Sequence, residues 1–341
     1  MKILLVCATS LFLATIALSQ TTEGELKTFK MQIDSLLQSS EFNGVVLLAQ
    51  DSSLIYKKAF GFSDLEQKTP LSTEDLFVIG SISKQITAAL VLREYEKGNI
   101  QLEATIDQFL PKIDQNWAKE VTIHQLLTHT HGILALNEPL EFEAGSQFHY
   151  SQLGYHLLAQ ILEKVTKKQF SELSSQLFEE LQLNNTYHPA NQNYHLVKGY
   201  EQQDNGHFIF SKYSLENYVA AGSFISNVDD LCRWNMLLHA GKIVNSQTLQ
   251  LMKSRYATRN HPIFEKVEYG YGLLFKDGEA DIQIGALGYA PGFVSATYYY
   301  PQSKLNLVVL ENTARELSNF KKTFQIHTKL MEISKKWIEN D

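Results

Sequence analysis

The chain has 341 residues, 44% of them apolar, with 30 lysines and arginines against 37 acidic residues and a formal net charge of −7. That length supports one large domain or two modest ones around a sizeable core. No basic block or basic–aromatic interleaving occurs, which excludes nucleic acid as an expected partner.

In chain order, Lys2 opens an apolar run from Ile3 to Leu18, followed by Ser19-Gln20-Thr21-Thr22-Glu23. A short positive region, an apolar stretch and small residues at Ala17 and Ser19 read as a secretory signal peptide over residues 1–19, cut after Ser19. The competing reading is an uncleaved anchor, but the run is short of the about 20 apolar residues that span a bilayer. No other segment has the length and apolar character to span. The expected product, residues 20–341, is a single soluble unit exported to the periplasm or the medium, with no stable membrane span after cleavage. Cys7 lies in the leader, so Cys232 would be the sole remaining thiol and no internal disulfide can form. Beside Leu231 and Trp234, Cys232 reads as a buried structural thiol.

After a short helix, Phe42–Gln50 and Leu54–Phe60 predict a hairpin around Asp51-Ser52-Ser53. A helix then runs from Ser81 to a C-terminal cap at Gly98. Thr122 caps a short helix through His129, and apolar spacing predicts helices over Ser151–Lys167, Phe170–Leu181, Asn227–His239 and Ser246–Tyr256. Asn191–Lys212 reads as a polar loop near a cleft mouth. Strand character returns at Ile282–Ile284, Val294–Tyr300 and Lys304–Leu310, with a Pro301-Gln302-Ser303 turn. A charged amphipathic helix over Arg315–Ile338 closes the chain. Strands at both ends with helices between predict an α+β sandwich. The termini, about 24–70 and 260–341, build one antiparallel sheet, and about 71–255 form an inserted helical lobe.

The chemistry starts at Phe77-Val78-Ile79-Gly80-Ser81-Ile82-Ser83-Lys84, where a serine precedes a lysine by three positions at the start of an apolar helix. Residues three apart share a helix face, so Ser81 Oγ and Lys84 Nζ can meet. A lysine there can take the serine proton, an S-x-x-K arrangement that forms an acyl-enzyme. The alternative is a serine cap with a solvated lysine one turn on. A second candidate, Tyr150 in Tyr150-Ser151-Gln152, lies in a loop entering a helix, where a phenol beside an amine can relay a proton.

Together these stretches resemble the serine β-lactamase and penicillin-binding-protein-like hydrolases, especially the class C β-lactamase, D-aminopeptidase and esterase branch. The resemblance covers Phe77–Thr87, Gly98–Pro111, Val121–Gly132, Phe142–Gly154, Ala221–Trp234 and Gly288–Phe293 in order. It implies a β-lactamase-like fold and no metal or organic cofactor. It also implies Ser81 as nucleophile, Lys84 as its proton acceptor, and Tyr150 as general acid or base in the second half of the cycle. The backbone N–H groups of Ser81 and Tyr289 would form the oxyanion hole. The implied partner is a small-molecule or peptide acyl substrate; the oligomeric state is not readable.

Two departures touch the substrate-binding positions Gln152, Ala286, Leu287 and Gly288. The family's Tyr-x-Asn is Tyr150-Ser151-Gln152, one methylene longer, and its third motif reads Ala286-Leu287-Gly288. The cation and hydroxyl that would hold a substrate carboxylate are absent, forfeiting charge-assisted bonds worth about 1.5–3 kcal/mol each. Uncharged esters, or amides and peptides lacking that carboxylate, are therefore the expected substrates, with poor β-lactamase activity. The rival reading is a β-lactamase-fold binding or regulatory protein that has lost most turnover; retention of Ser81, Lys84 and Tyr150 together argues against it.

The remaining candidates are weaker. His124, His129 and His131 suggest a metal only superficially, because no carboxylate completes the set. Gly222-Ser223 lacks the G-x-S-x-G spacing of a nucleophile elbow. His149 and His156 read as solvated or core histidines, and Tyr298, Tyr299 and Tyr300 as strand residues packing on both sheet faces.

Overall fold

The computed structural model describes residues 23–191, 193–276 and 283–340. The expected leader with Cys7, and Ile282 of the expected strand, lie outside them. An eight-stranded antiparallel sheet forms the frame. Its strands are β1 (Gly44–Gln50), β2 (Ser53–Phe60), β3 (Ala257–His261), β4 (Glu265–Tyr269), β5 (Leu274–Lys276), β6 (Gln283–Ala290), β7 (Phe293–Tyr300) and β8 (Leu305–Glu311). Their order is β2-β1-β8-β7-β6-β5-β4-β3, so β1 from the N-terminal part pairs in register with β8 from the C-terminal part, Gly44 opposite Glu311. The antiparallel sheet built from both chain ends is the one the sequence predicts.

One face of the sheet carries the helical lobe, the other the terminal helices. Alternation along β1 divides them: Val45, Leu47 and Ala49 join the lobe-side core, whereas Val46 and Leu48 join the core under the terminal helices. On that second face a helix over residues 23–39 (α1) buries Phe29, Ile33 and Leu37, spaced four apart on one stripe. Each such burial contributes roughly 1.5–3 kcal/mol. The last helix, α9 (Gln325–Asn340), lies beside it, with Trp337 stacked on Phe29 at 4.6 Å between ring centroids. The alternation also separates the tyrosines: Tyr298 and Tyr300 face the terminal helices, and Tyr299 stacks on His239.

The lobe holds α2 (Ser83–Glu96), α3 (Ile123–Thr128), α4 (Gln152–Thr166), α5 (Phe170–Glu180), α6 (Val228–His239) and α7 (Ser246–Lys253). Helix α2 is buried on nearly every side from Ser83 to Leu92, which makes it the axis of the lobe. Among these, α7 stops at Lys253 instead of Tyr256, because Ser254 turns extended and the chain enters β3. The sequence reading lacks β3, β4 and β5, short strands whose charged and polar residues mask the period. The expected terminal helix is also interrupted: α8 (Phe320–Thr323) and α9 are separate, and Arg315 precedes both. Within the expected loop Asn191–Lys212, Tyr200–Gln202 and Phe208–Phe210 form a small sheet with Thr313–Ala314. Cys232 is buried and its thiol is pushed up to about 12, mainly by burial. No helix among the described residues is long and apolar enough to cross a membrane.

Glu311, at the end of β8, is 3% exposed and accepts a hydrogen bond from Thr313 Oγ1 at 2.9 Å. Burial pushes its carboxyl up to about 7 from the ordinary 4.5, against the pull of Arg315, Thr313 and the Asn43 backbone. Between those values the folded protein holds a proton that the unfolded chain has released, so stability falls as pH rises through the window. We expect Glu311→Gln to remove this decline. The wild-type-minus-variant stability difference, from urea midpoints at about pH 5 and about pH 8, should change by up to roughly 3 kcal/mol.

Candidate active site

Ser81 lies in a tight turn, Gly80–Ile82, immediately before α2 rather than within it. Gly80 has φ +54°, and a Cβ there would come within 2.6 Å of Tyr289 N and 2.8 Å of Gly288 Cα. Gly288 is equally constrained, since its Cβ would meet Ile79 O at 2.3 Å and Ser295 Oγ at 2.1 Å. Ser295 Oγ donates to Ile79 O at 2.8 Å, tying the turn to the sheet. The hairpin after Tyr289 turns through Pro291-Gly292, with Ala290 opposite Phe293. In a two-residue hairpin the flanking pair is the hydrogen-bonded one, so Tyr289, the next residue out, directs its N–H away from β7. That edge of β6 faces Gly80 and Ser81.

Lys84, 1% exposed, reaches back one turn so that Nζ lies 3.3 Å from Ser81 Oγ. It also donates to Ala221 O at 2.6 Å, in a segment bound to the same helix by Thr87 Oγ1 to Ala220 O and by Phe224 N to Ser83 Oγ. Tyr150 completes the group: its hydroxyl donates to Ser81 Oγ at 2.7 Å, and Lys84 Nζ stands 4.6 Å from its ring centroid. The expected trio therefore converges on one oxygen. A caps-only reading of Ser81 fails, since Lys84 is buried rather than solvated.

The sequence reading gave no role to the residue that positions Tyr150. His129 ends α3 in the left-handed conformation, φ 60°, after the Thr122–Gln125 capping box that starts it. Its carbonyl accepts from His149 N at 2.8 Å and its Nδ1 accepts from Ser151 N at 3.1 Å, clamping the chain on both sides of Tyr150. Because Nδ1 accepts, Nε2 carries the hydrogen and faces Tyr269 OH at 3.1 Å. Burial, reinforced by the charge of Lys84, holds this imidazole well below its usual range, so it is neutral. The three histidines do not converge: His124 Nδ1 bonds Tyr271 OH, and His131 Nδ1 accepts from Ile133 N. Among the described residues no group of three metal-ligating side chains gathers. His149 pairs with the exposed Glu141 and His156 with Gln160.

The substrate-binding positions are arranged differently from expectation. Gln152 is exposed at the start of α4, and among the described residues Lys84 Nζ bonds Ser81 and Ala221 rather than the Gln152 amide. Ala286 is buried in the lobe-side core, while Leu287 packs with the cluster of Val294, Ala296 and Tyr298 on the opposite face. The motif thus presents backbone at Gly288 and Tyr289 rather than a two-residue apolar wall. A cation nevertheless stands nearby. Arg259, on β3, places its guanidinium carbon 5.1 Å from the Tyr150 ring centroid and 5.4 Å from that of Phe148. Nothing local in the sequence marks it, since only the β3–β4 hairpin carries it to the site.

A serine beside a buried lysine, a tyrosine on the serine oxygen and an adjacent sheet edge form an arrangement suited to serine acyl transfer on a sheet-and-lobe frame. The sequence model of the Beta-lactamase family matches residues 30–328, and the chain belongs to that family of serine hydrolases. Penicillin-binding protein 4* of Bacillus subtilis is 25% identical over 332 residues, covering 85% of this chain and 72% of the relative. The teichoic acid D-alanine hydrolase of Staphylococcus aureus is 23% identical over 265 residues, covering 72% of this chain and 65% of the relative. Among solved structures, D-amino acid amidase from Ochrobactrum anthropi superposes with a TM-score of 0.78 at 22% identity, covering 91% of this chain and 99% of that one. The hydrolase EstCE1 gives a TM-score of 0.70 at 21% identity, covering 86% and 95%.

Replacing His129 by Ala leaves the Ser151 N–H buried without its acceptor, which costs about 1–3 kcal/mol. His129→Ala is expected to fold with a lowered melting temperature and to label at Ser81 with an active-site phosphonate at least about tenfold more slowly, measured by intact mass against time.

Proposed function

We propose that this protein is an exported serine hydrolase that cleaves esters or amides through an acyl-enzyme on Ser81. The observation that carries the reading is the convergence of Tyr150 OH, at 2.7 Å, and Lys84 Nζ, at 3.3 Å, on Ser81 Oγ. Ser81 Oγ attacks the carbonyl carbon while its proton passes to the amine form of Lys84, since the Tyr150 hydroxyl already donates to that oxygen. The Ser81 and Tyr289 N–H groups receive the developing oxyanion, each donor contributing roughly 3–4 kcal/mol in the transition state. Collapse breaks the bond to the leaving group as Tyr150 gives that atom its phenolic proton, and the proton taken up by Lys84 restores the phenol. Water then attacks the acyl-enzyme by the reverse proton path and frees Ser81.

Support for ester and amide substrates comes from relatives named for D-alanine hydrolysis and for D-amino acid amidase activity. Export rests on the leader-like run before Ser19 and on relatives named as a penicillin-binding protein and a teichoic acid hydrolase. Neither Ala286 nor Leu287 can hold a carboxylate at the third motif, so the expected substrates are uncharged at that position.

Incubation with a fluorophosphonate should give a stoichiometric covalent adduct that is absent in Ser81→Ala. No adduct on well-folded protein would remove the hydrolase reading in favour of a binding role. Benzylpenicillin, whose rigid bicycle fixes its carboxylate relative to the scissile bond, should have a kcat/KM at least roughly a hundredfold below that of p-nitrophenyl butyrate. Comparable values in a steady-state assay would overturn this expectation.

A further inference from the structure

The group of the cleft with the least internal compensation is Arg259. A guanidinium stays charged at any working pH and offers five N–H donors. Here it is half-buried, its Nε has no hydrogen-bond partner, and among the described residues no carboxylate pairs with it. Its surroundings are the Phe148 and Tyr150 rings, with Tyr269, His129 and His261 close enough to interact electrostatically. Burial keeps both histidines neutral, and the phenols carry no formal charge when protonated. Contact with two ring faces offsets part of the cost of desolvating the cation. Ring faces do not satisfy in-plane N–H donors.

We propose that Arg259 is an anion-recognition residue of this cleft, holding a carboxylate carried by the leaving group of the substrate. The position follows from Tyr150. The phenol that contacts Ser81 Oγ is the group that gives a proton to the leaving atom, and Arg259 lies 5.1 Å from the centroid of that phenol's ring. The proposal therefore rests on Ser81 acting as the nucleophile. It also accounts for the absence of a cation from Ala286-Leu287-Gly288, because the positive charge comes from β3 instead of β6. Arg259 is paired in register with Val267 of β4, so its backbone is fixed by the hairpin before any ligand arrives. A flexible, acyclic leaving group can bend its carboxylate toward β3. A rigid bicyclic one cannot, which keeps this inference compatible with poor penicillin turnover.

The test uses two thioesters of one acyl group, with mercaptoacetic acid or neutral mercaptoacetamide as the thiol, and follows thiol release by the full chain. Wild type should favour the acid over the amide in kcat/KM by about tenfold or more. In Arg259→Gln that ratio should fall to near one, and Arg259→Lys should restore part of it. An unchanged ratio in Arg259→Gln, including an equal fall for both thioesters, would overturn the proposal and leave Arg259 as a support for Tyr150. Binding of both thioesters to Ser81→Ala by calorimetry separates the two readings, because it requires no turnover. Tighter binding of the acid, lost in the Ser81→Ala, Arg259→Gln double variant, supports the anion site even if the wild type fails to react with a fluorophosphonate. Equal binding of acid and amide to Ser81→Ala overturns it.

Discussion

The site depends on a contact between two stretches of backbone, Ile79–Gly80 of the lobe and Gly288–Tyr289 of the sheet. Both glycines lie where a Cβ would overlap main-chain atoms of the other stretch, so neither side chain nor solvent separates them. This closeness brings the turn that carries Ser81 alongside the edge of β6 at Tyr289. Backbone amides need no particular side chain, so an oxyanion hole at this edge would not depend on the family's usual residues at 286 and 287. The Ser295 hydroxyl on Ile79 O holds the contact from the sheet side, and the Ile79 N bond to Phe224 O holds it from the lobe.

Around the Tyr150 ring the protein gathers two basic side chains, and among the described residues neither forms an ion pair with a carboxylate. Lys84 approaches the ring at 4.6 Å and Arg259 at 5.1 Å, while a neutral His129 ring lies 4.5 Å away. Neutrality suits the clamp role of His129, because its Nδ1 must accept from Ser151 N and a protonated ring could not. The lobe supplies the lysine and the histidine, and the sheet supplies the arginine. Movement of the lobe against the sheet would therefore change the field at Tyr150 and the position of Ser81 together. The third motif has lost its cation, yet the cleft retains one through a strand that is remote in sequence.

Legibility in the sequence differed by the range of the interaction involved. Hairpin β1–β2, helices α4, α5 and α6, and strands β7 and β8 have a clear apolar period and turn residues where expected. Their observed ends fall close to the predicted ones. The helix expected to start at Ser81 starts at Ser83 instead, because Gly80 takes a positive φ and makes a separate turn. Strands β3 to β5 were hidden because RNH in β3 and EKVEY in β4 put charged residues where one face stays open to solvent. The loop expected over Asn191–Lys212 contains strand pairs supplied by Thr313–Ala314, which no local pattern could announce.

By itself the sequence determined the chemistry on offer: a serine and lysine one helical turn apart, a tyrosine at a loop–helix junction and a third motif without its cation. Those features are short-range, governed by helical spacing, capping and turn propensity within a few residues. Only the tertiary structure decided that Gln152 points to solvent, that Leu287 belongs to the far core, that His129 holds Tyr150 and that Arg259 faces it. Each of these depends on which face of a strand or helix meets another element distant in the chain. That choice is made when the two cores pack, because one register buries both apolar faces of the sheet at once.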